Sequence, residues 1–243
     1  SLVMQNIKTA FPNLSDKEAA AIGLASFRNF AMTGLEVFQS RYTDIAANIE
    51  AEGAEHLTAA VAQGNGVYIL CCHLGNWEAM GAAINRRYAP TYVIVKKVGS
   101  PNVDRFVNEI REHNQFRVII RRKKGDGARQ ILETIKRGDA VGFVMDQARP
   151  SEPKLPFFGV PAKTNTSFAA LHQKRPAPIV AGYMIRTAFG RHKMFFLPAL
   201  ELPADPDPKK EILDRSVFFN SVVEYMVRQA PEHYFWLHNR WKN

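Results

Sequence analysis

His73 and Glu78, a histidine and a carboxylate five residues apart, lie in the stretch ILCCHLGNWEAMGAA at residues 69–83. A carboxylate bonded to one imidazole nitrogen fixes the tautomer and raises the basicity of the other, which makes a general base. Within one α-helix, five residues amount to about 500° of rotation, leaving the two side chains roughly 140° apart. They meet only if His73 ends a strand, Gly75 makes a tight turn and Glu78 falls in the first turn of the next helix. Gly75 and Asn76 suit such a turn or N-cap, and a carboxylate is favoured at the positive end of a helix. The carboxyl end of a parallel strand is also where open α/β folds bind their ligands. With 23 acidic residues and seven histidines in the chain, the spacing also arises by chance. On spacing alone, a strand-end histidine beside an unrelated glutamate stays open.

Other chemistries find less support. Cys71 and Cys72 are adjacent, so on a strand their side chains point to opposite faces. No second pair exists for a zinc ribbon, and a disulfide between neighbours is not expected; a reducing compartment fits. Helical zinc pairs need three- or four-residue spacing, and neither HExxH nor CxxC occurs, so no metal or cofactor is expected. Cys72 as a nucleophile would point away from its neighbour His73. An esterase reading lacks GxSxG.

The 243 residues carry 32 Lys and Arg against 23 Asp and Glu, a formal charge of +9, with 46% apolar content. This composition suits one globular domain with a full core rather than disorder. The charge favours an anionic partner, among them nucleic acid, an anionic membrane face, a phosphorylated substrate or an acidic carrier protein. The basic stretch FRVIIRRKK belongs to no recognised nucleic-acid module, so no nucleic-acid partner is expected. No run of 18 apolar residues and no signal peptide occurs. The chain opens with SLVMQNIKTAFPNLSDKE, without an initiator Met, and an upstream anchor segment is expected before it.

The elements that must position these residues follow from pattern. Ser15 and Glu18 form a capping box, and Ala20, Leu24, Phe27, Ala31, Leu35 and Phe38 recur at helical spacing, predicting an amphipathic helix. A second helical stretch carries Ile45, Ile49, Leu57 and Val61 and ends at Asn65-Gly66. VYILCC reads as a buried strand and Trp77 to Tyr88 as a helix. TYVIV, RVII and AVGFVM are further strands. A helix opened by Pro101 with Phe106, Val107 and Ile110, and one with Ala128, Ile131, Leu132 and Ile135, alternate with them. This rhythm predicts an α/β single domain whose central, largely parallel or mixed sheet is flanked by helices. Ala148 to Lys163, with prolines at 150, 153, 156 and 161, reads as an aperiodic loop. Beyond it come a helix over Thr164 to Lys174, strands PIVAGYMI and KMFFLPAL, a polar linker at Asp205 to Lys210 and an amphipathic helix from Ile212 to Met226.

HLGNWE at 73–78, DQ at 146–147, PFFGVPAKT at 156–164 and PEHYFWLHNRWK at 231–242 appear in this order. Together they resemble the bacterial lipid A biosynthesis (late, lauroyl/myristoyl) acyltransferase family. The segment NIKTAFPNLSDKE is similar to the family's stretch just after its membrane anchor, so the resemblance spans nearly all of residues 1–243. It implies a glycerolipid-acyltransferase-like fold and transfer of a fatty acyl chain from an acyl carrier protein thioester to a hydroxyl of a lipid A precursor. It also implies an anionic lipid acceptor, peripheral contact with an anionic membrane and a place at the cytoplasmic face of the bacterial inner membrane. An acceptor such as a lysophospholipid or a glycosylated phosphoinositide is the alternative.

In residue terms the resemblance makes His73 the general base and Glu78 the group that orients it. Asn76, Lys96, Arg111, Asp146, Gln147, Phe157, Phe158 and Thr164 become candidate substrate-binding positions. Asp146 and Gln147 follow a strand directly and should share the edge of His73. Phe157 and Phe158 would line an acyl tunnel, while Thr164 also reads as a helix N-cap. Trp236, His238, Arg240 and Trp241 read as structural or interfacial. Three departures stand out: Lys96 replaces a family Arg, Gln115 replaces a glycine after Arg111, and Asn239 interrupts the usual HRRW.

Overall fold

A computed structural model describes residues 1–95, 105, 109–115, 117–120, 125–147 and 151–241. Lys96, the Pro101 helix start with Phe106 and Val107, and Ala148 to Pro150 lie outside these residues. The capping box forms as predicted: Ser15 accepts from the Glu18 amide while Glu18 accepts from the Ser15 amide, opening helix α2 (Asp16–Gln39) after a short α1 (Leu2–Ala10).

The sheet has seven strands: β1 (Ile49–Glu52), β2 (Val67–Cys71), β3 (Thr91–Val95), β4 (Arg117–Ile120), β5 (Ala140–Val144), β8 (Ile179–Ala188) and β9 (Arg191–Phe196). A separate two-stranded hairpin, β6 (Lys154–Phe157) and β7 (Val160–Lys163), intervenes in the chain. The sheet runs in the order β1-β9-β8-β2-β5-β3-β4. All neighbours are parallel except β8 and β9, so the expected α/β class with a mixed, largely parallel sheet is observed. Among the described residues the helices after α2 include α3 (Ala54–Ala62), α4 (Trp77–Arg87), α5 (Asp126–Lys136), α6 (Ser167–Lys174) and α7 (Pro208–Gln229), with a 3-10 turn at Pro231–His233. Strand β2 lies central and buried, and the pleat sorts its side chains. Tyr68 and Leu70, with Cys72 just beyond, face a core shared with α1, α5, α6 and α7; Val67, Ile69 and Cys71 face one shared with α3 and α4. The two cysteines therefore do point to opposite faces.

Three local expectations are corrected. Ile49 belongs to edge strand β1, paired with His192 on β9, and not to a helix running on to Val61. Gly53 at φ +72° makes the corner from β1 into α3, and a Cβ there would meet the Phe196 carbonyl oxygen at 2.2 Å. The proline-rich loop contains the β6–β7 hairpin. Its two-residue turn, Phe158-Gly159, has φ of +51° and +72°, the double positive φ of a tight hairpin turn. Pro156 and Pro161 face each other in this two-stranded ribbon, where missing ladder donors are tolerated. Part of the supposed linker is the N-terminus of α7, capped by Asp207 with Pro208 in its first turn.

Helix α2 is the largest departure. It buries Ser26, Asn29, Thr33 and Glu36, whereas Leu24, Phe27, Leu35 and Phe38 of its apolar stripe are exposed. An amphipathic helix ordinarily turns that stripe to the core; here the polar face goes in. Arg186 donates from Nε to Glu36 Oε1 at 2.9 Å and from Nη2 to Oε2 at 2.7 Å. Asn76 donates to the same carboxylate at 2.8 Å, as does the Gly190 amide, and His192 Nε2 lies 3.2 Å away. Ser26 and Asn29 donate to the carbonyls of Tyr234 and His233.

Burial opposes the Glu36 charge most strongly, yet the bonds from Arg186, His192 and Gly190 hold its carboxyl well below the usual range. A depressed carboxyl stabilises the fold above its unfolded pKa of about 4.3, and that contribution is lost as pH falls below it. Glu36→Gln should lower unfolding free energy at neutral pH by about 3–5 kcal/mol, because the Arg186 guanidinium stays buried without its counter-charge. Its stability should also fall less steeply between about pH 5 and 3 than that of the wild type. Urea titrations across that pH range check both.

Candidate active site

The corner from β2 into α4 is built as its residue types suggest. Gly75 has φ +65°, and a Cβ there would lie 2.1 Å from the Met184 carbonyl oxygen. Asn76 accepts from the Ala79 amide at 2.9 Å and caps α4. The C-terminal segment closes over the corner: Phe235 N–H donates to the His73 carbonyl at 3.0 Å and Gly75 N–H to the His233 carbonyl at 3.1 Å.

Strands β2 and β5 are parallel neighbours with Cys71 opposite Val144, so the residues just past their carboxyl ends fall together. His73 Nδ1 lies 2.8 Å from Asp146 Oδ1, and the His73 amide donates to Oδ2 at 3.1 Å. An ionised carboxylate only accepts, so Nδ1 carries the proton and Nε2 offers its lone pair. The imidazole side chain is 21% exposed and the Asp146 side chain 1%: a buried anion behind a base that substrate can reach.

The carboxylate bonded to His73 is thus Asp146, from 73 residues further along the chain, and not Glu78. Glu78 Oε1 instead accepts from Arg111 Nη2 at 3.0 Å. Its charge still adds to the field at the imidazole. Burial alone would lower the His73 pKa, but the Asp146 charge, its hydrogen bond and the Glu78 charge together raise it above the usual value. Burial likewise opposes the Asp146 charge, and is outweighed by His73, by its two hydrogen bonds and by Arg240, which keep the carboxyl below its ordinary range.

Tyr234, from the C-terminal motif, is a residue that sequence reasoning missed, and Arg240, read there as structural or interfacial, proves to stand behind Asp146. Arg240 is buried, donating to the Met145 carbonyl at 3.3 Å and to Asn220 Oδ1 at 2.6 Å, with its guanidinium 3.9 Å from the centre of the Phe157 ring. Burial, chiefly, and after it the nearby Asp146 charge push the Tyr234 phenol well above its usual pKa. The signal was present in the motif, since an arginine in a cluster of buried aromatics needs a buried acceptor or anion.

The remaining candidates divide. Gln147 Nε2 sits 3.4 Å from His73 Nδ1, beside the imidazole as expected. Asn76 is fully buried with both ends of its amide engaged, so it shapes the corner and presents nothing to substrate. Phe157 and Phe158 are core residues, with Trp241 stacked on Phe157 at 5.4 Å. Thr164 is buried, donating to the Ala162 carbonyl and accepting from Asn220; the helix cap belongs to Thr166. Phe157 and Thr164 are joined to the site as supports of Arg240, through its ring contact and through Asn220. Gln115 adopts φ +60°, a left-handed conformation that favours glycine, at the position where the resemblance implies one.

Burial, and after it Asp146, pushes the Cys71 thiol up to about 12 and Cys72 well above its usual value, so neither supplies a thiolate at neutral pH. Among the described residues no three His, Cys, Asp or Glu side chains converge to hold a metal ion. Nor is any helix among them long and apolar enough to cross a membrane. Trp77 packs edge-on to the His73 ring at 4.8 Å and Phe235 lies 6.0 Å from it, giving the base one apolar wall.

The family model described as bacterial lipid A biosynthesis acyltransferase matches residues 1–243. A lipid A biosynthesis palmitoleoyltransferase of Escherichia coli (strain K12) is 25% identical over 255 residues, covering 100% of this chain and 78% of its own length. A lipid A biosynthesis lauroyltransferase of the same organism is 25% identical over 248 residues, covering 99% of this chain and 78% of its own length. A lipid A biosynthesis acyltransferase of Shigella flexneri is also 25% identical over 255 residues. The chain belongs to the bacterial lipid A biosynthesis acyltransferase family and is an enzyme of the acyltransferase class.

Proposed function

We propose that this chain transfers a fatty acyl group from an acyl carrier protein thioester to a hydroxyl of a lipid A precursor, at the cytoplasmic face of the inner membrane. The observation that carries the reading is the His73 imidazole, fixed through Nδ1 by buried Asp146 and open at Nε2. Nε2 takes the acceptor hydroxyl proton as the oxygen attacks the thioester carbonyl. The tetrahedral intermediate collapses to the ester, and the imidazolium returns its proton to the departing thiolate. No acyl-enzyme is needed, in keeping with the raised pKa of both cysteines. Glu78 adds negative charge beside the imidazolium and anchors Arg111, whose guanidinium in this reading meets a phosphate or the developing oxyanion. Lys96 takes the same kind of role if it replaces the family arginine. The charge of +9 suits an acidic carrier protein and a phosphorylated acceptor alike.

The test offers purified protein a panel of acyl-carrier-protein thioesters with a Kdo-lipid A precursor, and with a lysophospholipid as competing acceptor, reading products by mass spectrometry. His73→Ala should lower transfer by about 10²–10⁴-fold in protein whose circular dichroism spectrum shows the fold retained. Full activity in that variant removes His73 from the mechanism, and a product only on the lysophospholipid moves the acceptor to another class.

A base works unprotonated, so turnover should rise with pH through an inflection above the ordinary imidazole value of about 6.5. Asp146→Asn removes the anion that raises it. The inflection should move to lower pH while the plateau rate falls by about 10²–10⁴-fold. A pH–rate profile of the two proteins gives both quantities, and an unshifted inflection assigns the titration to another group.

A further inference from the structure

Between Ala20 and Phe38, the exposed positions of α2 carry one charged residue, Arg28, and no acid. Leu24, Phe27, Phe30, Leu35 and Phe38 are 53, 60, 40, 59 and 49% exposed. This side cannot be turned inward, because the opposite one is bonded through Glu36, Thr33, Asn29 and Ser26 to Arg186 and the C-terminal backbone. The face is also continuous with the site. Phe30 packs on Phe235 at 4.8 Å and stacks on Trp77 at 6.4 Å, the two aromatics that wall His73.

We propose that this face of α2 is seated on an anionic lipid bilayer, with its Leu and Phe side chains among the acyl chains, and that a membrane lipid reaches His73 along it. Charge selects the occupant. Arg28 sits within the apolar face, and past the end of α2 a cleft beside Tyr42 is lined by Arg41, Arg86 and His113. Arg41 and Arg86 are paired with Glu109 and Asp44, while the chain as a whole keeps its excess of +9. Large Phe and Leu side chains on one face with basic residues in and beside it are the pattern of an interfacial helix. A face this poor in donors and acceptors offers an acidic carrier protein little to pair with. The inference takes from the proposed function only that the acceptor is a membrane lipid.

Vesicle flotation tests it without substrate. Wild-type protein should float with phosphatidylcholine vesicles containing phosphatidylglycerol, and its partition coefficient should fall as salt rises. Leu24→Gln/Phe27→Gln/Leu35→Gln should reduce partitioning by about tenfold or more with an unchanged thermal melt, since none of the three is buried. Arg28→Glu should weaken binding to anionic vesicles and leave binding to neutral ones unaltered. Wild-type-level flotation of the triple variant overturns the proposal, as does absence of wild-type flotation. So does a wild-type dimer in sedimentation that the triple variant dissolves, which would assign the face to a second copy of this chain. Flotation involves no acyl transfer, so its failure and an inactive enzyme are separate results.

Discussion

The buried carboxylate of Glu36 is the constraint on which much else rests. One side chain receives hydrogen bonds from β8 through Arg186, from the turn after it through Gly190 and from the cap of α4 through Asn76, with His192 of β9 at its edge. Rotating α2 to bury its apolar stripe would gain at most about 1.5–3 kcal/mol for each fully buried Leu or Phe, and less here because each is already half covered. The rotation would swing Glu36 into water and leave the Arg186 guanidinium buried without its counter-charge, at several kcal/mol, with the Asn76 amide, the Gly190 N–H and the Tyr234 and His233 carbonyls unpaired as well. The ion network wins, and an outward apolar face is the consequence.

Asp146 and Glu78 show how two carboxylates near one imidazole separate into different tasks. Asp146 is out of water, bonded twice by His73 and backed by Arg240 and Tyr234. Glu78 is partly exposed and engaged with Arg111. The first fixes which nitrogen carries the proton, and the second acts on the imidazole through charge alone while pairing with Arg111. Strand pairing makes this assignment possible: β2 and β5 end side by side, and their next residues meet across a gap of 73 positions in the chain.

Short-range chemistry was legible in the sequence. Ser15 with Glu18, the all-apolar β2, the Gly75-Asn76 corner and the alternation of strands and helices each follow from contacts within a few residues. Partners brought together by the sheet were not. A carboxylate five residues away is visible on the page, while one 73 residues away is visible only to the fold, so Glu78 was read into the role that Asp146 fills. The helical spacing of Ile45, Ile49, Leu57 and Val61 misled for a related reason: β9 offers Ile49 a strand to pair with, and Gly53 supplies the corner. Asn76, Phe157 and Thr164 were read as substrate contacts because they lie in the motifs, whereas burial turns them into the scaffold behind His73 and Asp146. The stripe on α2 was correctly helical, but periodicity cannot tell which side of a helix meets the core when the opposite side holds a buried ion pair.

The C-terminal segment ties these parts together. Its backbone accepts from Ser26 and Asn29 of α2 on one side, and on the other Phe235 donates to the His73 carbonyl while Leu74 bridges to Tyr234. Its aromatics pack between the two, with Phe235 against both Phe30 and the His73 ring. His73 and helix α2 are thereby attached to the same few backbone groups. On the proposed reading, a lipid held against the outward face of α2 would meet the imidazole at a depth set by hydrogen bonds already made, with the ordering needed for reaction built into the fold before the lipid arrives.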